Sequence, residues 1–176
     1  MIILVDYASP SVFESTLDQA SVTLATNLRR PVRFHGVVRR DGFPLRIALR
    51  ALGEAIWSND TWIPGAELLD PVITVHPDRL CFEAFSQDQS VYASLIVDPE
   101  IFETHGEVVT GTTNIDFTAW LWAALGEMRT GRRTSFRIGP EGFEVRTASA
   151  GGRFERKVDL PEAWVRGFLQ VQAAMA

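Results

Sequence analysis

Four short strings in this chain occur twice, in the same order. His35-Gly36-Val37-Val38 returns as His105-Gly106-Glu107-Val108-Val109, and Ala51-Leu52-Gly53-Glu54 as Ala124-Leu125-Gly126-Glu127. Val75-His76-Pro77-Asp78 returns in kind as Ile138-Gly139-Pro140-Glu141, and Asp98-Pro99-Glu100-Ile101-Phe102 as Leu160-Pro161-Glu162-Ala163-Trp164. The separations are about 60 to 70 residues, so the chain reads as a duplicated unit with loops of unequal length.

Periodicity gives the unit its elements. Leu45, Ala48, Leu49, Leu52 and Ile56 form one helical stripe, with Pro44 suited to a first turn. In the second copy Phe117, Trp120, Leu121, Ala124, Leu125 and Met128 do the same. Asp116 or Asn114 is placed to cap that helix, and Gly131 suits its C-terminus. Each helix follows a short strand around His-Gly and precedes strands of period two. In the first copy Leu80, Phe82 and Ala84 alternate with Cys81, Glu83 and Phe85, and Tyr92, Ser94 and Ile96 continue in that style. In the second, Phe136, Ile138, Phe143 and Val145 mark one face, and Phe154, Arg156 and Val158 alternate with Glu155 and Lys157.

The expected fold class is therefore α+β: two tandem strand–helix–hairpin repeats forming one pseudo-symmetric, mostly antiparallel-sheet domain. An N-terminal hairpin (1–28, strands near 2–5 and 21–26) precedes a first unit (29–102) and a second (103–176). Trp164-Val165-Arg166-Gly167-Phe168-Leu169 reads as the start of another unit, and no helix stop follows, which suggests a piece of a longer protein.

Composition bounds the chemistry. With 46% apolar residues, five Trp and eleven Phe, the chain can fill one core. It has no apolar run near the roughly 20 residues of a membrane span, and its N-terminus lacks a signal peptide's basic region. A soluble, cytoplasmic chain with no membrane partner is expected. The net charge of −5 argues against general adhesion to nucleic acid. Sixteen of seventeen basic residues are Arg, and seven lie between 29 and 50 against one acid, Asp41. Of these, Arg29, Arg30, Arg33, Arg39 and Arg40 are the candidate phosphate contacts of a nucleic-acid-binding alternative.

No reaction emerges from the residues. One cysteine, Cys81, excludes an intrachain disulfide and sits in an apolar strand pattern. Ser86 lacks a nucleophile elbow, and neither a Walker sequence nor Gly-x-Gly-x-x-Gly occurs. His35 and His105 occupy matching repeat positions without further ligands in sight, and His76 reads as a turn residue. Arg129, Arg132 and Arg133 suit a helix C-terminus. Gly111-Thr112-Thr113-Asn114-Ile115-Asp116 reads as an ordered loop entering a helix. No catalytic residue, metal site or cofactor is expected.

Asp70-Pro71-Val72-Ile73-Thr74-Val75, Phe82-Glu83-Ala84-Phe85-Ser86, the Gly111–Phe117 string and Leu160-Pro161-Glu162-Ala163-Trp164-Val165-Arg166-Gly167-Phe168 occur in that order. In this the chain resembles the N-terminal region of bacterial SWIM zinc-finger domain proteins, over roughly residues 30 to 172. The resemblance implies action beside a MoxR-type ATPase and a von Willebrand factor A-type protein. It implies no catalytic residues. It departs from the family at the zinc finger, whose Cys and His ligands one cysteine cannot supply.

The expected function is a non-enzymatic protein-interaction or scaffold domain. Its candidate partner-binding residues are Gly111, Thr112, Thr113, Asn114, Asp116, Phe85 and Trp62, with Trp164 assigned to the core.

Overall fold

The stripe Leu45, Leu49, Leu52 and Ile56 makes one face of a helix that cannot stand in water alone, and the strands around it supply the cover. In the computed structural model of the chain, the described residues are 12–15, 20–23, 31–39, 41–57, 70–116, 118–147, 150–157 and 162–175. They run β1 (Val12–Ser15), β2 (Ala20–Thr23), β3 (Phe34–Val38), α1 (Phe43–Trp57), β4 (Val72–Val75), β5 (Leu80–Phe85), β6 (Tyr92–Val97) and a 3-10 turn (Pro99–Ile101). Then come β7 (Phe102–Thr104), β8 (Gly111–Asn114), α2 (Ala119–Gly126), β9 (Thr134–Gly139), β10 (Gly142–Thr147), β11 (Ala150–Arg156) and α3 (Glu162–Met175).

The class is α+β with antiparallel sheets. One sheet has the order β11-β10-β9-β3-β7 and another β6-β5-β4-β8; β1 and β2 pair separately. Each larger sheet contains a three-stranded meander, extended by β8 in one and by β3 and then β7 in the other. β4 takes β8 (Val75↔Gly111, Ile73↔Thr113), and β9 takes β3 (Ile138↔Phe34, Phe136↔Gly36).

β1 pairs with β2, 12–15 to 20–23, and 21–23 belong to the strand expected at 21–26. Residues 2–5 and 24–26 lie outside the described ones, as does Phe117 of the second stripe.

The inward faces of both sheets and the two helices share one core. Ile73, Val75, Leu80, Phe82 and Ala84 from one sheet meet Phe34, Phe136, Ile138, Phe143 and Val145 from the other. Phe82 and Phe143 touch edge to face at 6.1 Å between centroids. α1 packs on β5 and β6 and against α2, which packs on β10 and β11. Arg46 of α1 donates to the carbonyls of Gly126 (3.1 Å) and Met128 (3.3 Å), serving the open C-terminal end of α2.

α2 starts later than the sequence suggested. Its N-cap is Thr118, whose hydroxyl accepts from Leu121 N–H and donates to the buried Glu155. Asn114 and Asp116 do not cap it, because Asn114 belongs to β8 opposite Val72, and Ile115 bridges to Lys157. Gly131 does take a positive φ of 80°, in the turn before β9 rather than at the helix end.

Candidate interaction surface

The strings singled out in the sequence are structural. Gly111 to Asn114 form strand β8, where Thr113 and Asn114 are buried and Thr112 is exposed. Asp116 is half-buried beside β11. Phe85 is 2% exposed and packs edge to face on Trp164 at 4.8 Å, so it presents nothing to a partner. Trp164 is fully buried, and its indole N–H donates to the Asp70 carbonyl at 2.9 Å. Trp62, Arg29, Arg30 and Arg40 lie outside the described residues. Arg33 and Arg39 are exposed, but Arg39 is tied through Nε to the Phe102 carbonyl at 2.7 Å.

The four-stranded sheet has an outer face that α3 covers in part. Val72 and Phe85 point away from the main core, and α3 lays Trp164, Phe168 and Val171 on them, with Tyr92 alongside. Gly167 permits this approach: a Cβ there would sit 2.7 Å from the Phe85 ring. Further along that face, Thr112, Thr74, Cys81 and Ile96 stand in one row across the strands. Cys81 is buried, and burial first, then Glu83, pushes its thiol up. Tyr92 donates to Glu83, and burial followed by that bond raises its phenol to about 12.

The outer face of the five-stranded sheet is different. Register sets Phe154, Glu144, Arg137 and His35 in one row across β11, β10, β9 and β3. His105 extends the row past Thr104, with its backbone N–H donating to the His35 carbonyl at 2.8 Å. Adjacent strands lie about 4.8 Å apart, so the row crosses roughly 19 Å. The next row holds Arg156 opposite Gly142, which faces Gly139, and Arg33 falls level with Gly139 one step beyond the Phe34↔Ile138 pair. Arg146 and Glu103 lie on the other flank.

Arg33, Arg133, Arg137, Arg146 and Arg156 are all exposed, and Phe154 is 50% exposed. Two of the five are paired: Arg146 with Glu144 at 2.8 Å and Arg133 with Glu103 at 3.8 Å. The guanidinium groups of Arg33, Arg137 and Arg156 have no ion-pair partner among the described residues. His35 is held below the usual histidine range, chiefly by burial and then by Arg137 and His105, against an upward pull from Glu144. So a chain of net charge −5 carries one sheet face with five arginines against two glutamates.

The two histidines do meet, with ring centroids 5.3 Å apart. They are not equivalent, since His35 lies inside β3 while His105 follows β7. Among the described residues no three His, Cys, Asp or Glu gather to hold a metal. Ser86 Oγ donates to Asp88 and accepts from Val91 N–H, which closes a turn. Arg129, Arg132 and Arg133 follow α2 rather than end it, and all three reach glutamates, Glu127 or Glu103.

Sequence reasoning missed Arg137, Arg156 and Phe154 as one surface. The available signal was strand alternation: Phe136-Arg137-Ile138 and Phe143-Glu144-Val145-Arg146 send every second residue outward. No family model matches the chain, and no curated protein does. Among the described residues no helix is long and apolar enough to cross a membrane.

Proposed function

We propose that the chain is a non-enzymatic protein-interaction domain, made of two tandem strand–helix–meander units whose first strands are exchanged, and that it binds its partner on the outer face of the five-stranded sheet. Three of the four repeated strings support the tandem origin. Ala51 to Glu54 lie in α1 and Ala124 to Gly126 in α2; Val75 to Asp78 and Ile138 to Glu141 each close the first turn of a meander. Asp98 to Phe102 and Glu162 to Trp164 each follow a third meander strand. The hairpins keep one register, Ile73↔Phe82 matching Phe136↔Val145 under a common shift.

The observation that carries the functional reading is the contrast between the two outer faces. On one, α3 lies over Val72, Phe85 and Tyr92 and leaves Ile96 63% exposed; the other carries five exposed arginines and Phe154. Exposed arginine with an exposed aromatic is the composition of interaction hot spots. A non-enzymatic role fits a buried cysteine whose thiol is raised and a serine held in a turn. The wider assignment, to the N-terminal part of a longer SWIM-type protein working beside a MoxR-type ATPase and a von Willebrand A-type protein, rests on the four resembling strings alone.

The test is site-specific photo-cross-linking in the producing cells, with benzoylphenylalanine at Ser135 on the exposed face or at Ser94 on the other sheet. A discrete protein adduct from Ser135 and none from Ser94 is expected. Adducts from Ser94 alone, or from neither, would overturn the reading.

A further inference from the structure

Resting on that choice of surface, we infer that the partner presents an extended acidic segment, whose carboxylates are taken by Arg33, Arg137 and Arg156 while an apolar side chain packs on Phe154. The three guanidinium groups are exposed and have no ion-pair partner among the described residues, unlike Arg133 and Arg146 beside them. A guanidinium fork matches a carboxylate in a bidentate pair, which fixes orientation as well as charge. Between Arg33 and Arg156 the row holds only Gly139 and Gly142, and nothing lies within 4 Å of where a Gly139 Cβ would be. An extended backbone can therefore lie low over Gly139, between Arg33 and the buried Gly142 in front of Arg156.

The same charges would attract nucleic acid, and the structure favours the shorter polyanion. The face is about 19 Å across by strand spacing. The protein around it is acidic enough to bring the net charge to −5. A nucleic-acid strand running past the face meets that acidic surface within about a Debye length or two. A short acidic segment does not. Single-strand binders also stack successive bases on several aromatics; here Phe154 is the one exposed aromatic among the described residues of this face.

The experiment uses the full chain and two labelled probes: a short Glu-rich peptide with one central leucine, and oligothymidine of matched charge. Fluorescence anisotropy should give a peptide dissociation constant on the order of tens of micromolar at low salt, weakening as salt rises. The triple variant Arg33→Glu, Arg137→Glu, Arg156→Glu should weaken peptide binding at least about tenfold, and Phe154→Ser a fewfold. Arg79→Glu, in the β4–β5 turn, should leave it unchanged, and circular dichroism reports that each variant is folded. Unchanged peptide binding in the folded triple variant overturns the inference. So does oligothymidine binding that the triple variant loses while the peptide fails to bind; that result would assign the face to nucleic acid. If neither probe binds, the acidic-segment inference falls, while a Ser135 cross-link would still uphold a protein partner of other chemistry.

Discussion

His105 donates its backbone N–H to the carbonyl of His35 at 2.8 Å, and their imidazoles lie 5.3 Å apart on an exposed sheet face. The contact arises because β7 pairs with β3 in the register Gly36↔Thr104. A pair of histidines that looked equivalent in sequence are thus neighbours for a different reason, as consecutive members of one cross-strand row.

That neighbourhood has a pH signature. Burial, then Arg137 and His105, depresses the His35 pKa below the ordinary histidine value of 6.5. The unfolded chain therefore binds this proton more readily, so stability holds above about pH 6.5 and falls as pH drops below it. Proton titration by NMR should place His35 below 6.5. His35→Gln should flatten the loss of stability on acidification from pH 7 to 5. A measured His35 value at or above 6.5 contradicts the geometry.

Gly167 decides how closely α3 approaches. Alanine is the better helix former by about 1 kcal/mol. Here its methyl would meet the Phe85 ring at 2.7 Å. Overpacking of this kind costs about 1–3 kcal/mol, so Gly167→Ala should be net destabilising in urea unfolding. Gly126→Ala is the control: its Cβ would meet Arg50 at 3.6 Å, an ordinary contact, and it should be neutral or stabilising by up to about 1 kcal/mol. A stabilised Gly167→Ala would mean that α3 does not dock as described.

Trp164 anchors the same helix. Trp164→Ala should cost about 3–5 kcal/mol by leaving a cavity among Val72, Phe85 and Phe168. Trp164→Phe keeps most of the packing and loses the indole bond to Asp70, for about 1–2 kcal/mol. If the two variants unfold at the same urea midpoint as the parent, the packing of α3 on Val72 and Phe85 is not a stabilising one.

Arg46 joins the helices. Replacing it with Met keeps much of its apolar stem and removes the donors to Gly126 and Met128. A loss of about 1 kcal/mol is expected in denaturant unfolding. No loss would show that solvent serves those carbonyls equally well.

The sequence was most legible where one face repeats. The stripe from Leu45 to Ile56 is a buried helix face, and the meander strands lie close to their expected positions. Gly111 to Asn114 was illegible because polar, Gly-rich composition suits a loop by local chemistry. Only the long-range partner Val72 to Val75 makes it a strand. That β3 pairs with β9 and β8 with β4 is likewise a tertiary fact that no local pattern encodes. The alternation of Phe136 and Ile138 places Arg137 on the opposite strand face, but only the pairing of β9 with β3 sets it beside His35.

The central claim is that the partner lands on the outer face of β3, β9, β10 and β11. Its most direct test is hydrogen exchange of the full chain with and without the partner recovered through Ser135. The account predicts added protection on β9, β10 and β11 and none on the exposed Phe43 and Ile47 side of α1. Protection confined to α1 or to the edge strand β6 would contradict it.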